Sequence, residues 1–154
     1  MRILALDVGD VRIGVAVSDE LELGAYPLVT LKRLGTLKKD VLLVSEVVVE
    51  QEADLVLVGL PTSLDGGEGP QARLTRGFGE ALGRALAVPL AFWDESLTSV
   101  EAEERLIGLD YSRDKRRKLI DQWAAKILLE SYMDHRRQTG APLEAPAAGI
   151  TETA

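Results

Sequence analysis

The sequence predicts an α/β domain built on a five-stranded mixed sheet, an antiparallel meander plus two parallel strands, flanked by helices. Three observations carry this. Three short strand-like runs come first, separated by only a few turn residues; helical and strand patterns then alternate; and the last third of the chain is mostly helical in pattern.

Residues 2–8 form an apolar run closed by Gly9 and Asp10, which reads as a buried strand ending in a turn. Ile13 to Ser18 reads as its antiparallel neighbour, and Ala25 to Leu31 as a third strand after the Glu22-Leu23-Gly24 turn. From Thr36, Leu37, Val41, Val44 and Val48 recur at helical spacing, marking an amphipathic helix to about Gln51. Asp54 to Gly59 is a continuous apolar strand. A loop from Leu60 to Gly69 leads to a helix whose apolar marks are Leu74, Phe78, Leu82 and Ala85, with Pro70 suited to its first turn. Gly77, Gly79 and Gly83 weaken that helix, since glycine costs about 1 kcal/mol against alanine in a helix interior. Leu90 to Trp93 is the fifth strand. Thr98-Ser99-Val100-Glu101 fits a capping box, placing a third helix from there to about Leu106, ended by Gly108 and Asp110. A final helix spans roughly Asp114 to Arg137. The Ala- and Pro-rich tail after Gly140 is expected to stay disordered.

The 154 residues suffice for one domain with a real core, and no internal repeat is evident. At 46% hydrophobic and 28% charged residues, with a mean hydropathy of +0.04, the composition is that of a soluble globule. Its apolar runs fall far short of the roughly 20 residues that cross a bilayer, and no secretory leader pattern is present, so a cytoplasmic protein without membrane contact is expected. There is no cysteine and only one histidine, which excludes disulfide frameworks and thiolate or imidazole zinc clusters.

The net charge of −7 argues at first against a nucleic-acid partner. Distribution argues for one. Arg113, Lys115, Arg116, Arg117 and Lys118 crowd one short stretch, and Lys32, Arg33, Lys38 and Lys39 form a smaller cluster; the competing interpretation is a solvated helix end.

Three acids stand out by position. Asp7 closes the first strand on the face of Ile3 and Ala5, because strand side chains alternate. Asp94 and Glu95 close the fifth strand, and alternation places at least one of them at the rim of the same sheet. Asp121 shares its helix face with Ala124, Ala125 and Leu128, the face that packs on the sheet, where an ionised carboxylate is costly without a compensating cation. Turn chemistry, helix capping and a simple ion pair are the ordinary explanations of each acid taken singly. Taken together, carboxylates from separate elements with no histidine or cysteine suit Mg²⁺ or Mn²⁺, and two such ions suit phosphodiester hydrolysis. The glycine-rich stretch containing Gly59, Pro61, Ser63 and Asp65 lacks the Lys-Ser or Lys-Thr pair of a P-loop; its position favours a loop over the site. Trp123 and Tyr132 read as core residues.

These residues resemble the YqgF/RuvX family, associated with Holliday junction resolution and with processing of pre-16S ribosomal RNA. The resemblance rests on Leu6-Asp7-Val8-Gly9 with Arg12-Ile13-Gly14-Val15-Ala16-Val17-Ser18-Asp19, Val58-Gly59-Leu60-Pro61 with Asp65-Gly66, Asp94-Glu95-Ser96-Leu97-Thr98-Ser99, and Ile120-Asp121 with Ala124-Ala125 and Ile127-Leu128, in family order. It implies a ribonuclease H-like nuclease domain over residues 1–138, with residues 139–154 as the tail. It selects Glu95 over Asp94, so that Asp7, Glu95 and Asp121 would form the catalytic and metal-binding triad for two Mg²⁺ or Mn²⁺ ions. Arg12 and the Arg113 to Lys118 cluster would hold phosphates. Thr62-Ser63 and Gln122-Trp123 depart from the family pattern without removing a triad acid. The implied activity is endonucleolytic processing of the 5′ end of precursor 16S rRNA. Branched-DNA resolution and a non-catalytic RNA-binding assembly factor are the alternatives. A sugar-kinase-like phosphotransferase would need a second such domain, for which the chain is too short. A homodimer is among the expected assemblies, though no residue pattern marks its interface.

Overall fold

The computed structural model describes residues 1–61, 67–95, 102, 104–106, 109, 112–139 and 152–153, the side chains of 114, 117, 118, 152 and 153 excepted. The meander is β1 (Ile3–Val8), β2 (Arg12–Ser18) and β3 (Ala25–Lys32), followed by α1 (Leu37–Glu50), β4 (Leu55–Leu60), α2 (Pro70–Ala85), β5 (Leu90–Asp94) and α3 (Arg113–Thr139). A two-residue strand β6 (Glu152–Thr153), within the tail, pairs antiparallel with β5. The sheet order is β3-β2-β1-β4-β5-β6, with β1, β4 and β5 parallel and the β1-β2-β3 meander antiparallel. The five expected strands are therefore present, each within a residue or two of its expected bounds. Ala102 and residues 104–106 are helical, inside the expected third helix; its capping box and its Gly108-Asp110 end lie outside the described residues.

Strand alternation sorts the core into two layers. Leu4, Leu6, Val8, Val56, Val58, Leu90 and Phe92 pack under α1 and α2, while Ile3, Ala5, Leu55, Leu57 and Ala91 meet Ala125, Leu128, Leu129, Tyr132 and Met133 of α3. All six residues of β1 are buried, which fits a continuous apolar run at the centre of a sheet covered on both sides. Each large side chain fully buried here, Leu57 or Leu128 for example, contributes about 1.5–3 kcal/mol.

Thr36 caps α1 by accepting from the Lys39 amide at 3.2 Å, and Pro70 occupies the first turn of α2 where its missing N–H costs nothing. The buried face of α2 differs from the expected one. Leu74 is 67% exposed, and small residues, Ala72, Thr75, Gly79 and Gly83, share the inner face with Phe78 and Leu82. A Cβ on Gly79 would overlap the Phe92 ring, so this glycine permits close approach of helix to sheet and is not merely a weakness.

The basic cluster around Lys32 also resolves differently. Arg33 turns inward: its Nε donates to Asp40 at 2.9 Å, its Nη1 to the Gly9 carbonyl at 2.9 Å, and its guanidinium lies 5.4 Å from the Phe78 ring centroid. Asp40, 2% exposed, also accepts from the Leu34 amide at 2.6 Å. The pair braces the β1-β2 turn, which Gly9 closes by donating to the Arg12 carbonyl at 2.8 Å.

Candidate active site

Asp7 lies at the carboxyl-end side of β1 with 8% exposure, on the α3 face, as its parity with Ile3 and Ala5 requires. Glu95 follows β5, held to β4 by its amide donating to the Leu60 carbonyl at 3.2 Å. Its parity with Ala91 and Trp93 puts it on the same face, and Asp94 on the other. Trp93 fixes that end of the strand against α3, its indole donating to Ser131 Oγ at 3.3 Å and its ring meeting Tyr132 edge-on. Asp121 comes down from α3 onto this rim.

Two glycines make the convergence possible. Gly14 is the cross-strand partner of Asp7, and a Cβ there would overlap the backbone carbonyl of Asp121. Gly59 lies in β4, where a Cβ would come within 2.5 Å of a Glu95 carboxylate oxygen and 2.9 Å of Leu128 Cδ2. Gly59 is thus a strand residue beneath the site, as the Asp54 to Gly59 run implies, and not part of the overlying loop in which the glycine-rich stretch also places it. Pro61 directly follows β4; Ser63 and Asp65 lie outside the described residues. Neither glycine's role was evident from the motif alone, although a glycine inside a strand signals close approach by another group.

Electrostatically the three acids are strained neighbours. Burial is the main cause that raises Glu95, followed by its hydrogen bond with Asp7 and the charges of Asp7 and Asp94; together they push it up to about 10. Asp7 is also raised, chiefly by burial and further by the charge of Asp121, while the hydrogen bond from Glu95 pulls it back. Of the two, Glu95 is the one that burial and Asp7 favour in its protonated form, hydrogen-bonded to Asp7. Asp121 accepts from Arg12 Nε at 2.8 Å. A proton and a guanidinium thus supply the positive charge this rim demands. Among the described residues, no three histidine, aspartate or glutamate side chains are grouped closely enough to hold a metal ion as they stand. The donor set itself, oxygen-only and in need of cationic charge, fits hard divalent ions.

Arg113 and Lys115 are exposed and Arg116 half-buried at the start of α3, where Ser112 Oγ accepts from the Lys115 amide at 3.2 Å. They precede Asp121 by one to two turns of the same helix, about 7 to 12 Å along its axis. Cations at a helix N-terminus oppose the macrodipole, so a role in stabilising the helix end does not explain them. The side chains of Arg117 and Lys118 lie outside the described residues.

A sheet with this strand order, an acid near the carboxyl end of β1, another just after β5 and a third on the last helix define a ribonuclease H-like fold with an acidic centre. The chain belongs to the RuvX family, described as Holliday junction resolvase, whose pattern matches residues 1–135. A protein of Caldanaerobacter subterraneus subsp. tengcongensis bearing the name "Putative pre-16S rRNA nuclease" is 44% identical over 140 residues, covering 90% of this chain and 100% of that protein. A Myxococcus xanthus protein of the same name is 42% identical over 137 residues, covering 89% and 90%. The fold resembles Thermus thermophilus RuvC in complex with Holliday junction substrate, with a TM-score of 0.54 at 18% identity over 90% of this chain and 97% of that one.

Proposed function

We propose that this protein is a divalent-metal-dependent endonuclease that hydrolyses phosphodiester bonds at the 5′ end of precursor 16S rRNA in the cytoplasm. What supports the reading is the placement of three acids from separate elements at one rim: Glu95 hydrogen-bonds Asp7, Asp121 lies near enough to Asp7 to raise it, and Arg12 pairs with Asp121. The relatives' names supply the RNA, and their extent over nearly the whole chain supports carrying it across.

Asp7, Glu95 and Asp121 would hold Mg²⁺ or Mn²⁺, two ions being the usual complement for this chemistry. When bound, such ions activate the attacking water and stabilise the leaving oxygen. Holding them would require Glu95 to release its proton to solvent and Asp121 to part from Arg12. Arg12, still tethered at the start of β2, then has its guanidinium available for a phosphate oxygen beside the cut. Arg113, Lys115 and Arg116 hold phosphates farther along the strand. Gly14 and Gly59 keep the carboxylates in register, which matters because misplacement by about 1 Å can cost 10²-fold in rate.

The second reading, a branched-DNA resolvase, is favoured by the family description. Incubation of a precursor 16S 5′-end segment and of a four-way DNA junction with each metal separates the two. Cleavage of the RNA at a defined position, lost in Asp7→Asn, is expected. Cleavage of the junction alone would establish the second reading, and metal binding with no cleavage of either would establish a non-catalytic assembly factor.

A further inference from the structure

Beside the acidic centre, between Gln122 of α3 and the β2-β3 edge of the sheet, lies an open cavity of about 570 Å³. Its lining includes Val11, Arg12, Leu28, Val29, Lys32 and Gln122, and none of its lining residues is acidic, in a chain of net charge −7. Gln122 follows Asp121 directly, and Arg12 is bonded to Asp121, so the cavity opens onto the site.

Arg12 and Lys32 are direct cross-strand partners in the antiparallel β2-β3 ladder. Like-charged side chains so placed have their Cβ atoms roughly 5 Å apart and destabilise the pairing unless an anion compensates them. Asp121 compensates Arg12 from one side, but Lys32 is exposed at the far rim. Leu28 and Val29 also line the cavity, partly buried where they pack against the core under α1 and α2, and Val11, 58% exposed, adds apolar surface that water covers poorly. Paired cations next to aliphatic surface match a phosphate next to an unstacked base. A duplex hides its base faces and is too broad for this volume; an unpaired nucleotide fits.

We propose that this groove binds an unpaired nucleotide adjacent to the cut, its phosphate between Arg12 and Lys32 and its base against Val11, Leu28 and Val29, so that the enzyme selects single-stranded substrate there. The adjacency to a cut rests on the nuclease reading; the groove itself does not. Discrimination against duplex comes from the apolar floor, and salt-dependent affinity from the two cations.

The test uses the full chain in EDTA and fluorescein-labelled eight-nucleotide RNA and DNA single strands, with a blunt duplex of the same sequence, read by anisotropy across a salt series. Lys32→Glu and Val11→Asp alter exposed positions, and unchanged melting temperatures check that they fold. Single strands, RNA or DNA, are expected to bind at least tenfold more tightly than duplex. Each variant should weaken them about tenfold, and Lys32→Glu should reduce the salt slope by about 0.7. Equal binding of single strand and duplex, or variants that bind as wild type, would overturn the groove. So would a change of oligomeric state in the variants without loss of binding, which would make this edge an interface with a second copy. Groove-dependent binding with no cleavage of any substrate would instead defeat the nuclease reading while leaving the groove in place.

Discussion

The Gly14 backbone lies against the Asp121 peptide, so closely that even a methyl group would overlap the Asp121 carbonyl. Since Gly14 is also the cross-strand partner of Asp7, one missing side chain sets how near two acids from opposite ends of the chain can come. Gly14→Ala should therefore push α3 outward at Asp121. The expected result is a loss of about 1–3 kcal/mol of stability, as for other overpacked sites, and a larger loss of cleavage, about 10²-fold. Chemical denaturation and single-turnover kinetics on the same preparation measure the two; a stability loss with full activity would show that Asp121 need not stand where it does.

The buried pair at the rim makes the metal-free protein sensitive to pH. Burial raises Glu95 from its ordinary carboxylate value near 4.5 to about 10, so between those limits the folded state holds a proton that the unfolded state has released. Stability conferred by that proton is complete at low pH and is lost as pH rises, with a slope of at most about 1.4 kcal/mol per pH unit. Glu95→Gln, which needs no proton, should flatten the slope and be more stable than wild type at pH 8. Urea titrations in EDTA from pH 5 to 9 read this directly; a wild-type stability that rises over that interval would contradict it.

Arg33, partly buried, and Asp40, buried, form an ion pair that holds the Gly9 turn. Removing one partner leaves the other charge buried, so Arg33→Met should cost about 3–5 kcal/mol. Replacing both, as Arg33→Met with Asp40→Leu, should recover much of that loss. A double-mutant cycle by denaturation checks the coupling, and additivity of the two single changes would refute it.

Arg113, Lys115 and Arg116 stand at the end of α3 where the helix dipole disfavours them. Changing all three to alanine should leave the melting temperature unchanged or slightly higher. Nucleic-acid affinity should fall, and the slope of log K against log salt should decrease by about 2 to 3. Anisotropy titrations over a salt series supply both numbers, and an unaltered slope would remove these residues from the interface.

Much of this was legible in the amino-acid order, and the exceptions have a common cause. Strands β1 and β4 announce themselves as unbroken apolar runs because both faces are covered, and Asp7 stands out as the one charge in such a run. Strand alternation leaves Asp94 and Glu95 open, and the family resemblance points to Glu95; the physical reason, which face of β5 α3 covers, is held by Ala91 and Trp93 only after packing. Leu74 misleads because apolarity marks large side chains, whereas α2 approaches Phe92 through Gly79, Thr75 and Ala72. Arg33 looks like a surface cation until Asp40, seven residues later, is brought back beneath it by the turn into α1. Gly14 and Gly59 are visible as glycines within strands, but their partners, Asp121 and Glu95, are distant in sequence.

Joint binding of divalent cations by Asp7, Glu95 and Asp121 would displace one proton and one arginine contact. Calorimetric titration of Mn²⁺ at pH 8 in two buffers of different ionisation enthalpy tests it without relying on turnover. The account predicts saturable binding with net proton release in the wild type, and loss of binding by at least tenfold in Asp7→Asn and Asp121→Asn. Glu95→Gln should bind weakly and release no proton. Undiminished Mn²⁺ binding by Asp121→Asn, or binding with no proton release in the wild type, would contradict it.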